Sequence, residues 1–181
     1  MSDAARDWIF PAATEMLIGV TPELRPERLG DHIDRLYRAA WALSGSREEA
    51  EDLVQDTFAL VLAKRRTIEG DDALPYLLRV LRNTFISKLR ARDRRPRTVP
   101  LDEGEAALRA PASSSPVEAV AAREVFAAIA ALPDDYRDVV AAVDVAGLSY
   151  AEAADALKIP QGTVMSRLYR GRSRIVDALA P

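Results

Sequence analysis

The chain has 181 residues, 49% of them hydrophobic and 29% charged, with a net charge of −3 and no cysteine. Such an apolar share supports one medium core or two small ones, and the missing thiols exclude a disulfide framework and any thiolate metal site. A single histidine, His32, excludes a multi-histidine zinc site; no apolar run approaches the roughly 20 residues of a bilayer span, and Met1-Ser2-Asp3 lacks the basic-then-apolar order of a secretory signal, so a cytoplasmic protein without membrane insertion is expected.

Residues 1–30 form an N-terminal extension in which Pro11, Pro22 and Pro26 interrupt a short apolar pattern. From Asp31 the period becomes helical, with Ile33, Leu36, Tyr37 and Ala40 on one stripe and Gly45 as a stop. Ser46 with Glu49 three residues later reads as a capping box for a second helix. That helix carries Ala50, Leu53, Val54, Phe58 and Val61 and runs to about Arg66. Thr67–Ala73, with Gly70 and paired Asp71-Asp72, is a loop. A third helix places Leu74, Leu77, Leu78, Leu81, Phe85 and Leu89 on one side and Arg79, Arg82, Asn83, Ser87 and Arg90 on the other. Three matched stripes make a small bundle over 31–95.

Residues 96–116 hold Pro96, Pro100, Pro111, Pro116 and three consecutive serines, the composition of a flexible linker. The second unit, 117–181, opens with a helix whose expected stripe is Val117, Val120, Ala121, Val125, Ala128, Ile129 and Leu132. Pro133 suits the start of the next helix, which carries Tyr136, Val139, Val140 and Val143 and ends at Gly147. Ser149 and Glu152 form a second capping box. The short helix Tyr150–Leu157, a tight turn closed by Gly162 and a basic helix from Thr163 to about Leu179 make a helix-turn-helix. Such a unit braces its first helix on the DNA backbone and inserts the second into the major groove. The expected fold is all-α: two small helical bundles joined by a flexible linker, the second a helix-turn-helix domain.

Charge is distributed unevenly. Arg79, Arg82, Lys88, Arg90, Arg92, Arg94, Arg95 and Arg97 are interrupted only by Asp93, and Lys158, Arg167, Arg170, Arg172 and Arg174 by no acid. Phosphates respond to such local fields, whatever the net charge. Thr163, Ser166, Arg167 and Arg170 share a spacing suited to reading base edges, and Arg172 and Arg174 are better placed for phosphate. No nucleophile–base pair, Gly-rich phosphate loop or metal cluster is evident, so no catalytic residue, metal or cofactor is expected.

Two stretches resemble the two conserved regions of bacterial extracytoplasmic-function (ECF) sigma factors. One is AEDLVQDTF at Ala50–Phe58 followed by YLLRVLRNTFISKLRARDRR at Tyr76–Arg95; the other is ALPDDYRDVVAAVDVAGLSYAEAADALKIPQGTVMSRLYRGRSRI at Ala131–Ile175. The resemblance covers about four-fifths of the chain. It implies sigma domain two at 31–95, sigma domain four at 117–181, and a non-enzymatic subunit that binds core RNA polymerase and directs promoter-specific initiation. It further implies that Glu51, Asp52, Gln55 and Asp56 meet the β′ clamp. The minus-ten element would be read by Asp71, Asp72, Arg79, Arg82, Asn83, Lys88 and Arg90, and the minus-thirty-five element by Thr163, Ser166, Arg167, Arg170, Arg172 and Arg174. Expected partners are core RNA polymerase through its β′ clamp and β subunit, promoter DNA and an anti-sigma factor. Ser87, Met165 and Tyr76 depart from the residues usual in the family, which affects the promoter sequence rather than the function. Two other readings fit less of the chain: a sigma mimic need not keep both basic sets, and a plain helix-turn-helix repressor leaves Ala50–Arg95 without a role.

Overall fold

The computed structural model of the chain describes residues 30–63, 73–94 and 116–180. Except for Gly30, Ala73 and Pro116, the N-terminal extension, the 67–73 loop and the proline-rich tether lie outside the described residues. So do Asp71 and Asp72.

Among the described residues there are seven helices and no strand. A 3-10 turn, Gly30–His32, leads into α1, Ile33–Ser44. This helix stops at Gly45, whose φ of 75° is the left-handed form that glycine adopts most readily and whose N–H returns to the Trp41 carbonyl. The second helix, α2, spans Arg47–Ala63, and the expected capping box is only half made: the Glu49 N–H donates to Ser46 Oγ at 3.3 Å, but the Ser46 N–H donates to Ser44 Oγ and the Glu49 carboxylate accepts from Arg92. It buries Ala50, Leu53, Val54 and Val61 together with Thr57, whose hydroxyl donates to the Leu53 carbonyl at 2.7 Å and so leaves no unmet polar group. Leu74–Arg94 forms α3, which buries Leu74, Leu77, Leu78, Leu81 and Phe85 along the predicted stripe.

The second half contains α4, Pro116–Ala130, and α5, Asp134–Val140, which runs on into a π turn at Ala141–Val145. It closes with α6, Tyr150–Leu157, and α7, Gln161–Leu179. The capping box at α6 is complete: Ser149 Oγ accepts from the Glu152 N–H while the Glu152 carboxylate accepts from the Ser149 N–H. Two local expectations are corrected. Lys158, not Gly162, takes the left-handed conformation that turns α6 into α7, with φ 57°. Gly162 already lies in the first turn of α7, which starts two residues earlier than the sequence suggests because Pro160 serves as its cap.

The stripe of α4 is also rotated from its expected position. Val120 and Val125 face solvent, whereas Phe126 and Ala122 pack inward and Ile129 is buried. The reason is a partner the local pattern does not reveal. The Phe126 ring stacks on Trp41 of α1, with centroids 4.0 Å apart and planes 7° from parallel. Such a pair contributes about 0.5–1.5 kcal/mol beyond its area. On its open flank Trp41 carries the Arg47 guanidinium at 4.3 Å.

The two bundles therefore share one continuous core. Helix α1 is the common wall: Ala39, Ala40, Trp41, Ala42 and Leu43 are all buried, an all-round burial requiring neighbours on both sides. Ile33, expected in the stripe, is left 46% exposed at the start of the helix. Polar contacts line the seam. Arg35 Nε donates to the Ala146 carbonyl at 2.7 Å and its Nη2 to the Gly147 carbonyl at 3.1 Å. Arg82 Nε donates to the Asp138 carboxylate at 2.6 Å. The Arg137 guanidinium lies 5.4 Å over the ring of Phe85.

Asp138 is 8% exposed, and burial is the main reason its carboxyl is pushed above the ordinary carboxylate value; the Arg82 charge and hydrogen bond pull the other way and only partly offset this. A raised folded-state value means the folded chain holds this proton more tightly than the unfolded chain does. The contribution is therefore fully present below the ordinary value and is lost as pH rises through the raised one. Urea unfolding across the weakly acidic range should show wild type losing stability relative to Asp138→Asn as pH rises; a wild type that gains on the variant would mean that Arg82 outweighs burial.

Gly171 sits where α7 meets α5. A Cβ there would lie 2.8 Å from Val140 Cγ2 and 3.5 Å from Tyr136 Cβ, so the absence of a side chain is what permits this approach. Gly171→Ala should destabilise the chain by about 1–3 kcal/mol in denaturant titration. Gly162→Ala, with nothing within 4 Å of the new carbon, should be neutral or stabilise by up to about 1 kcal/mol.

Candidate nucleic-acid interface

The acidic face of α2 follows directly from helical spacing. Residues 51, 52, 55 and 56 fall on the side opposite the buried stripe, and Glu51, Asp52, Gln55 and Asp56 are all exposed. Two ion pairs tie this helix to α3: Lys88 Nζ to Asp56 at 2.6 Å and Arg92 to Glu49 at 2.9 Å. Both are open to solvent and contribute little to stability, but they draw Lys88, expected at the DNA, onto the acidic face instead. Between the two helices, Leu53, Phe85, Leu89 and Ala91 line a pocket of about 330 Å³ rimmed by Asp52, Lys88 and Arg92.

The cation-bearing side of α3 divides in two. Asn83 and Arg90 are exposed. Arg79 and Arg82 are turned into the seam. Arg79 Nη2 donates to the Asp155 carbonyl at 2.6 Å and its Nε to the Ala156 carbonyl at 3.3 Å, both at the carboxyl end of α6. Arg82 holds Asp138 of α5. The sequence places these two arginines on an outward face; the structure gives that face a second module as its neighbour.

On α7 the first turns project Ser166 and Arg170 into solvent, with Ser166 Oγ donating to the Thr163 carbonyl at 3.1 Å. Arg174 is exposed too, its guanidinium 5.0 Å over the Tyr136 ring. Thr163 and Arg167 are half-buried, so the shared outward face expected for Thr163, Ser166, Arg167 and Arg170 is only partly present. Arg167 folds back onto Asp135 at 2.9 Å. Arg172 makes paired hydrogen bonds to Asp144, at 3.0 Å from Nε and 2.5 Å from Nη2. The hydrogen bond first, and the Asp144 charge second, hold Arg172 more firmly protonated than usual. Acids from α5 and the π turn thus orient two cations of α7.

Sequence reasoning missed Arg35, Trp41, Phe126 and Asp138 as residues with a positional role. Asp138 was visible only as one of many acids between residues 134 and 155, and nothing local marks Arg35. Among the described residues no group of three or more His, Cys, Asp or Glu is placed to hold a metal ion, and no helix is long and apolar enough to cross a membrane.

Comparison with known proteins gives this geometry a family. Residues 29–95 match Sigma-70 region 2 and residues 122–175 match Sigma-70 region 4. The ECF RNA polymerase sigma factor SigE of Mycolicibacterium smegmatis is 35% identical over 160 residues, covering 85% of this chain, which spans 61% of that protein's length. The ECF RNA polymerase sigma factor EcfG of Rhodopseudomonas palustris is 32% identical over 157 residues, covering 86% of this chain and 84% of that one. Among solved structures, the sigma factor RpoE of Bartonella quintana, crystallised with the anti-sigma factor NepR, superposes with a TM-score of 0.68 at 30% identity, over 84% of this chain and 94% of that chain. CnrH, solved with the cytosolic domain of CnrY, shares the fold at a TM-score of 0.58 and 23% identity, over 84% of this chain and 85% of the other. The chain belongs to the ECF RNA polymerase sigma factors.

Proposed function

We propose that this chain carries out the family's work, promoter-directed initiation of transcription by bacterial RNA polymerase, through three surfaces. As a sigma factor it supplies recognition and no bond-making chemistry; the polymerase does the synthesis, in the cytoplasm. The acidic face of α2, Glu51, Asp52, Gln55 and Asp56, docks on the β′ clamp. Helix α3, with the acidic loop before it, takes the minus-ten element, and α7 takes the minus-thirty-five element as duplex. An anti-sigma factor controls the chain, as the NepR complex of the RpoE relative suggests.

The observation that carries this reading is the pairing of each matched region with a long cation-bearing helix, α3 in one and α7 in the other. A plain repressor needs only the second, and a mimic of a sigma factor needs neither set of cations. Acidic residues on α2 add register and steering toward a basic partner. On α7, Ser166 and Arg170 have the exposure and hydrogen-bonding groups to meet base edges, and Arg174 to meet phosphate.

Run-off transcription with purified core enzyme and a genomic promoter library should yield start sites specific to this chain; none above core enzyme alone would reject the reading. Asp52→Lys should weaken core binding at least about tenfold, a loss of about 1.4 kcal/mol, with helicity unchanged. Arg170→Ala should cost roughly 1–3 kcal/mol of promoter discrimination, measured as a change in the ranked promoter profile. A profile identical to wild type would reassign Arg170 to phosphate or to no contact.

A further inference from the structure

Arg90 is exposed, but the other two of the three arginines of α3 expected at the minus-ten element, Arg79 and Arg82, are already occupied. Their partners are oxygen atoms of the second module: the Asp138 carboxylate and the Asp155 and Ala156 carbonyls. Chemically these stand where phosphate oxygens would. The two carbonyls close the carboxyl end of α6, where unpaired acceptors and the helix dipole concentrate negative potential. The occupancy is firm on the α5 side, because Asp138 is 8% exposed and its carboxylate depends on Arg82. Away from α3 the same seam is held by Arg35, whose guanidinium spans the Ala146 and Gly147 carbonyls, and by the Trp41–Phe126 stack. The minus-thirty-five side is treated differently: Ser166, Arg170 and Arg174 of α7 remain exposed, and the acids that pair with Arg167 and Arg172 belong to the second module itself rather than to the first.

We propose that the seam is an intramolecular lock on one DNA-reading face only. The second module occupies Arg79 and Arg82 as a nucleic-acid backbone would, while its own reading helix stays open. Single-stranded DNA and the second module then compete for the same two guanidinium groups. The free chain engages duplex through α7, and it engages single-stranded DNA through α3 only after the modules part. The inference rests on the assignment of α3 and α7 to DNA made above. Its apparent affinity for single strands is the intrinsic one scaled by the fraction of open molecules.

The test uses the full chain and variants that loosen the seam without touching a residue assigned to DNA. Arg35→Ala removes two hydrogen bonds and one positive charge, so any gain in DNA affinity cannot come from added charge. Phe126→Ser removes the ring stack and changes no charge. Because the sequence has no cysteine, dyes on Ala59→Cys of α2 and Ala178→Cys of α7, both exposed and outside the residues assigned to DNA, report the separation of the modules by energy transfer. The DNA probes are random-sequence pools, one single-stranded and one duplex. Both seam variants should lower energy transfer and raise single-strand affinity by at least about tenfold. They should steepen the log–log salt dependence by about 1.4, the increment for two phosphate contacts on a single strand. Adding Arg82→Ala to either variant should remove most of the gain. Duplex binding should stay within about twofold of wild type.

Arg35 is a half-buried surface residue, so its variant provides a folded reference even where Phe126→Ser loses helicity. Unchanged energy transfer in Arg35→Ala, or opened modules with unchanged single-strand affinity, overturns the lock. A parallel rise in duplex binding overturns its one-sidedness. Failure of wild type to direct transcription with core enzyme, while the oligonucleotide results hold, counts against the proposed function and leaves the lock standing.

Discussion

A helix segment buried on every side has to be shared, and Ala39–Leu43 of α1 is that segment here. Ala39, Ala40 and Ala42 are small enough for neighbours to approach closely, and Leu36, Trp41 and Leu43 supply the apolar area that draws them in. One flank meets α2 and α3; the other meets α4, α5 and the π turn. The positions of both modules are thus referred to a single element of twelve residues. The orientation of α3 follows, since its stripe from Leu74 to Phe85 must face α1 and α2. That leaves Arg79 and Arg82 toward α5 and α6.

Local chemistry made much of this readable from sequence. The stripe of α3, the stop at Gly45, the capping box at Ser149 and the exposed acids of α2 depend on residues within one or two turns, and the structure has each of them. Errors arose where a distant partner decides. The buried side of α4 is set by Trp41, about 85 positions upstream in sequence, so Val120 and Val125 looked inward while Phe126 did the packing. The turn before α7 carried a glycine that attracted attention, yet Lys158 takes the strained conformation because the αL cap falls one residue after α6 ends. A π turn leaves no mark in an apolar pattern. The candidate DNA face was legible as a set of residue types; that Arg79, Arg82, Arg167 and Arg172 each have an oxygen partner within the chain was not, because every one of those partners is at least 28 residues away.

These pairings also reconcile a net charge of −3 with two basic helices. Acids of α5 and the π turn sit directly beside cations of α7, and Asp56 and Glu49 sit beside cations of α3. Each pair is short-ranged and, at the surface, weak. Together they hold Arg82, Lys88, Arg92, Arg167 and Arg172 in defined directions. Of the arginines on α3 and α7 expected at DNA, Arg90, Arg170 and Arg174 are exposed and make no ion pair among the described residues.

The near-contact at Gly171 has a consequence for how such a protein diversifies. The Val140 methyl of α5 stands 2.8 Å from where a Cβ would lie at Gly171, so any larger residue at that position would push α7 away from α5. On the proposed reading of α7, new target preferences are reached more directly by exchanging outward side chains such as Ser166 and Arg170 than by enlarging residue 171, which would shift the whole helix.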